Sequence, residues 1–115
     1  VHVTAIDSNA RAVACTIAGA QLNGVDDRVT AIHAAEGEVD QPGTCDLVVG
    51  NPPYYSQYTI AELFLQTARR ALRPGGEVLM VTKQSEWFTA RMSQLFTDVK
   101  EHAARGYILV SARKR

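Results

Sequence analysis

Short apolar runs alternate with segments of helical period along most of the chain, and two further runs flank a glycine near its C-terminal end. This pattern predicts an α/β fold: a mainly parallel sheet covered by helices in three layers, with an antiparallel hairpin at the C-terminal edge. The contiguous Val78, Leu79, Met80 and Val81 agree with it, since a strand inside a parallel sheet is buried on both faces. At 115 residues, 46% apolar and 21% charged, the chain is expected to form one domain over residues 1–115.

Residues 3–6 read as the first strand, stopped by Asp7-Ser8-Asn9. Ala10, Val13, Ile17 and Gln21 then keep helical spacing up to Asn23-Gly24. Asn9 suits the N-cap, where its side-chain oxygen takes a free N–H, and Gly24 suits the left-handed residue that ends a helix. Residues 29–33 form the next strand, residues 36–44 a loop rich in glycine, proline and acids, and residues 46–49 a third strand. Ile60, Leu63, Phe64, Ala68, Ala71 and Leu72 predict a helix over residues 60–72, closed by Arg73-Pro74-Gly75-Gly76 before a strand at residues 77–82. A helix over residues 87–96 follows, and residues 98–102 and 107–112 read as an antiparallel pair joined through Ala104-Arg105-Gly106.

The most informative stretch is Asn51-Pro52-Pro53-Tyr54, at the carboxyl end of the third strand. Open α/β sheets bind their ligands at that end. Asn51 offers an acceptor oxygen to an N–H, the prolines stiffen the turn and present carbonyls, and Tyr54 offers a face for a planar group. Such a set suits holding a flat, amine-bearing substrate. The plainer reading is a strand-ending turn, because Asn-Pro is a common loop signal.

Composition narrows the remaining classes. Twelve acidic and twelve basic side chains cancel, so no global field draws the chain onto nucleic acid, and any such contact is local. Cys15 and Cys45 lack metal-ligand spacing, and His2, His33 and His102 stand singly, so no metal is expected and a reduced, cytoplasmic setting fits. No apolar stretch reaches the length of a membrane span.

With Asp7 ending one strand, Asn51-Pro52-Pro53-Tyr54 ending another and Leu72-Arg73-Pro74-Gly75-Gly76 before a third, the chain resembles the class I S-adenosylmethionine-dependent methyltransferases, whose sheet is Rossmann-like. More narrowly it resembles the "methyltransferase small" group, best known for methylating a guanine exocyclic amine of ribosomal RNA. The closing run from Arg105 to Arg113 is similar to that group's last strand. The resemblance implies an N-methyltransferase acting on guanine or adenine in ribosomal or transfer RNA, with S-adenosyl-L-methionine as cofactor. Asn51 and the Pro52 carbonyl would accept hydrogen bonds from the target amine, with Pro53, Tyr54 and Tyr55 against the base. Asp7, beside Ser8, would bind the cofactor ribose, although a helix-start acid is the plainer reading of Asp7. The family's acid for the adenine amine meets alanine here, in Ala34 and Ala35, with Glu36 or backbone groups as the substitute.

The family's first strand and glycine-rich loop should precede Val3, where the sequence shows only Val1 and His2. An upstream segment or partner is therefore expected to fill the place between the strands ending at Asp7 and Gly50. Two other readings stay open: a methyltransferase for a protein glutamine amide, which shares the Asn-Pro-Pro-Tyr motif, and a non-catalytic binding or scaffold module.

Overall fold

The structure is a computed structural model that describes residues 1–35, 38, 39, 41–53 and 58–115. It contains two compact units, Val1–Glu38 and Val39–Arg115.

In the first unit, strand β1 (Val3–Asp7), helix α1 (Ala10–Leu22) and strand β2 (Val29–His33) form a right-sized crossover, with β1 and β2 parallel from Val3 opposite Val29 to Asp7 opposite His33. The cap is as the sequence predicts: Asn9 Oδ1 accepts from the Arg11 and Ala12 backbone N–H groups at 2.8 and 3.4 Å. Gly24 has φ +70° just past the helix, a value that favours glycine. Of this unit's described residues only Ala20 is buried.

The second unit holds β3 (Cys45–Gly50), α2 (Thr59–Ala71), β4 (Leu72–Thr82), α3 (Ser85–Leu95), β5 (Thr97–Ala104) and β6 (Tyr107–Arg113), with sheet order β3-β4-β6-β5. β3 and β4 are parallel, whereas β6 pairs antiparallel with both β4 and β5. The mixed sheet with an antiparallel C-terminal edge is thus present. Arg105 and Gly106, at φ +50° and +82°, make the two-residue turn whose twist matches a hairpin.

Leu65 and Ala68 of α2, Val78 and Met80 of β4, Phe88 and Met92 of α3, and Val110 and Ala112 of β6 form one buried cluster. Val78 lies opposite Ala112 and Met80 opposite Val110, so both helices pack on the same face of the sheet. Each large side chain buried there contributes roughly 1.5–3 kcal/mol.

Three expectations need adjustment. Burial of β4 alternates: Val78 and Met80 are fully buried, but Leu79 and Val81 are only half-buried, because the described helices of this unit cover one face. β4 also begins at Leu72 rather than residue 77, since Pro74 cannot continue a helix and the extended chain finds partners at once. Leu72 lies opposite Cys45, and the Gly75 N–H donates to the Lys114 carbonyl while the Lys114 N–H donates to Gly76. Helix α3 starts at Ser85, ahead of the expected residue 87.

Candidate active site

Strand β3 delivers the Asn-Pro-Pro segment. Gly50, its last residue, lies opposite Met80, and a Cβ there would stand 2.9 Å from both Met80 Sδ and Phe64 Cδ2. Glycine therefore lets the strand end close against α2 and fixes where Asn51 emerges. Asn51 is exposed and its side chain makes no hydrogen bond to a described residue, while Pro52 is buried and Pro53 half-buried. Among the described residues, an amide with unused donor and acceptor capacity thus stands on a rigid, anchored base. Tyr54, Tyr55 and Glu36 lie outside the described residues.

Past the motif, Tyr58 caps α2 in the left-handed conformation, φ +67°. Its ring stacks on Trp87 with centroids 4.6 Å apart and planes 7° from parallel, and its hydroxyl donates to Gln84 Oε1 at 2.9 Å. The Phe88 ring meets both aromatics edge-on. After β4, Thr82 Oγ1 accepts from the Gln84 N–H at 2.9 Å and sets the turn into α3. Tyr58, Lys83, Gln84, Ser85, Glu86 and Trp87 line a cavity of about 390 Å³ at this carboxyl end of the sheet, and Lys83 Nζ sits 4.9 Å from the Tyr107 ring centroid. Sequence reasoning missed this cluster, because at helical spacing Trp87 reads as ordinary helix and Tyr58 as loop. The usable signal was four aromatics, Tyr54, Tyr55, Tyr58 and Trp87, next to two successive strand ends.

In the first unit, Asp7 closes β1 with an exposed side chain. Its Oδ1 accepts from the Asn9 N–H at 2.8 Å, so the carboxylate orders the residue that caps α1. The plainer, helix-start role is therefore present. A carboxylate has about four acceptor sites, and this bond leaves the others for a diol. The Ser8 carbonyl accepts from His33 Nε2 at 3.0 Å, and the Ala34 N–H donates to the Asp7 carbonyl at 3.0 Å, which tie the loop to the end of β2. No group of three metal-ligating side chains occurs among the described residues.

Comparison with known proteins gives these features a context. A family model described as "Methyltransferase small domain" matches residues 1–111. A ribosomal RNA large subunit methyltransferase G from Pseudomonas savastanoi pv. phaseolicola is 30% identical over 120 aligned positions, covering 98% of this chain and 32% of the relative. Its counterpart from Ectopseudomonas mendocina is 33% identical over 94 positions, covering 76% and 25%. The chain thus spans a quarter to a third of these relatives. Among solved structures, a T. thermophilus 16S rRNA N2 methyltransferase in complex with AdoMet and guanosine shares the fold at TM-score 0.85 and 22% identity, covering 99% of this chain and 32% of that one. A SAM-dependent O-methyltransferase from Thermotoga maritima aligns at TM-score 0.71 and 14% identity, covering 98% and 49%. By its family model and by the relatives it matches, the chain belongs to the methyltransferase small domain family.

Proposed function

We propose that this domain is part of an S-adenosylmethionine-dependent N-methyltransferase that modifies an exocyclic amine of a nucleobase, guanine ahead of adenine, in ribosomal or transfer RNA. The observation that carries the reading is Asn51: an exposed amide that no described residue engages, next to a buried proline at the carboxyl end of a parallel strand. The relatives' names support an RNA substrate over a protein glutamine amide, and the guanosine held by the T. thermophilus enzyme supports guanine.

The cofactor supplies a methyl group already activated on a sulfonium, so the protein's task is alignment, which contributes up to roughly 7–11 kcal/mol. Asn51 Oδ1 and the Pro52 carbonyl would accept the two N–H bonds of the amine and leave its lone pair directed at the methyl. Asp7 would accept from the cofactor's ribose hydroxyls, with Ser8 beside it. Tyr54, Tyr55 and Pro53 are proposed to hold the base, and Glu36 the adenine amine.

The free edges of β1 and β3 support a further proposal. Among the described residues β1 pairs with β2 alone and β3 with β4 alone, and Val3, Ile6, Leu47 and Val49 are exposed. Unpaired apolar strands attract a further strand. We propose that polypeptide outside residues 1–115 pairs along these edges and brings the glycine-rich loop for the cofactor's methionine moiety, so that the 115 residues form part of the catalytic domain. Cys15 and Cys45 are free thiols, which supports a reducing, cytoplasmic location.

Substitution of Asn51 tests the central role. Asn51→Ala is expected to lower the single-turnover rate of methyl transfer at least about a hundredfold, as for loss of a preorganised hydrogen-bonding group. S-adenosylhomocysteine affinity should change by less than about threefold, because the amide orients the amine rather than the cofactor. A retained rate would remove Asn51 from the reaction.

A further inference from the structure

Beyond the target amine's site, we infer that the cavity after β4 is a subsite for a nucleotide flanking the target base in a single-stranded RNA segment. Its occupant's identity rests on the function proposed above. Asn51 leaves β3 level with Val81, and β4 runs one residue further before turning through Lys83 and Gln84, so cavity and motif share one end of neighbouring strands, ~4.8 Å apart. A strand of RNA presented at Asn51 must pass along this rim or leave it.

The cavity's walls suit a base and its phosphate. Trp87 is partly buried, with Tyr58 stacked on it at 4.6 Å and Phe88 edge-on at 5.1 Å, which makes a braced aromatic plate rather than a mobile ring. The Tyr58 hydroxyl holds Gln84 Oε1, which turns the Gln84 amide N–H groups to donor duty. Among the described lining residues, Lys83, whose Nζ sits over the Tyr107 ring, is cationic and Glu86 is a carboxylate. Those groups suit one phosphodiester plus a base edge that offers acceptors to Gln84. A volume of about 390 Å³ is of single-nucleotide scale, and stacking on an aromatic face tolerates any base. Because the chain carries no net charge, contact with RNA has to be concentrated in such a local site.

The test uses the native polypeptide and its Trp87→Phe variant, whose difference in fluorescence isolates Trp87. Each is titrated with a single-stranded RNA hexanucleotide and with an abasic ribose-phosphate oligomer of equal length. The RNA should quench the Trp87 signal saturably, and the abasic oligomer should leave it unchanged. Lys83→Ala should weaken RNA binding about three- to tenfold and reduce the salt slope by about one. Absence of quenching, equal quenching by the abasic oligomer, or an unchanged Lys83→Ala variant overturns the subsite. Methyl transfer to RNA without Trp87 quenching removes the subsite and spares the proposed activity. Quenching by RNA without methyl transfer does the reverse.

Discussion

At the scale of single residues, Asp7 combines one observed role with one proposed. Its Oδ1 accepts from the Asn9 N–H, and its exposed position leaves acceptor capacity, which the proposed function assigns to the cofactor ribose. Asp7→Ala should therefore weaken S-adenosylhomocysteine binding at least about tenfold, the loss of a charged hydrogen bond worth roughly 1.5–3 kcal/mol. Asp7→Asn separates the roles, because its amide oxygen can still accept from Asn9 while the charge is gone. Calorimetry should find weakened cofactor binding in both variants and a lowered melting temperature only in Asp7→Ala. Unchanged affinity in folded Asp7→Ala would leave a cap-ordering acid and nothing more. Asp7 and Asn51 were legible in the sequence because each ends a short apolar run. Gly50 was not, since the need for a missing Cβ comes from Met80 and Phe64, which are distant in sequence.

At the scale of elements, α2 and α3 are tied by an ion pair that no local pattern predicts. Arg91 Nε donates to Glu62 Oε1 at 2.7 Å and its NH2 group to Oε2 at 2.9 Å, a bidentate pair joined by Gln66 at 2.7 Å. The Arg91 hydrogen bonds foremost, against some burial, hold the Glu62 carboxyl below its ordinary value of 4.5, with Gln66 and the Arg91 charge adding to the effect. A carboxyl depressed in the folded state stabilises fully above its unfolded pKa, and that contribution fades as pH falls through the folded one. Glu62→Gln should thus cost about 0.5–1 kcal/mol at neutral pH in urea unfolding, within the range for a partly exposed pair. The difference from wild type should shrink below pH 4.5. A pH-independent difference would assign the loss to packing. Most element positions were readable because caps and breakers are local: Asn9 and Gly24 bound α1, and Arg105-Gly106 makes the hairpin turn. The start of β4 was not, because glycine and proline signal a turn while pairing with Cys45 and Lys114, far along the chain, draws them into the strand. The Tyr58–Trp87 stack escaped for the same reason, its partners being 29 residues apart.

At the scale of the whole molecule, the exposed apolar edges of β1 and β3 dominate. Leu47 and Val49 are 54% and 65% exposed on β3, Val3 is 50% exposed on β1, and the first unit buries only Ala20 among its described residues. By contrast, the outer strand β5 carries Lys100 and Glu101 and a register shift between Thr97 and Lys100, devices that blunt an edge. Residues 1–115 expressed alone should therefore aggregate or melt without a cooperative transition. The native polypeptide, with any residues that precede Val1, should melt cooperatively and be stabilised by S-adenosylhomocysteine. Thermal scans of the two would decide it, and a monomeric, cooperatively melting, cofactor-binding 115-residue fragment would contradict the proposed extra strand. The account as a whole is met most directly by locating the transferred methyl. Ribosomal and transfer RNA incubated with the native polypeptide and methyl-labelled S-adenosylmethionine, then digested to nucleosides for mass spectrometry, should carry the label on an exocyclic amine of guanine or adenine. Label confined to ribose, to a ring carbon or to protein would contradict it.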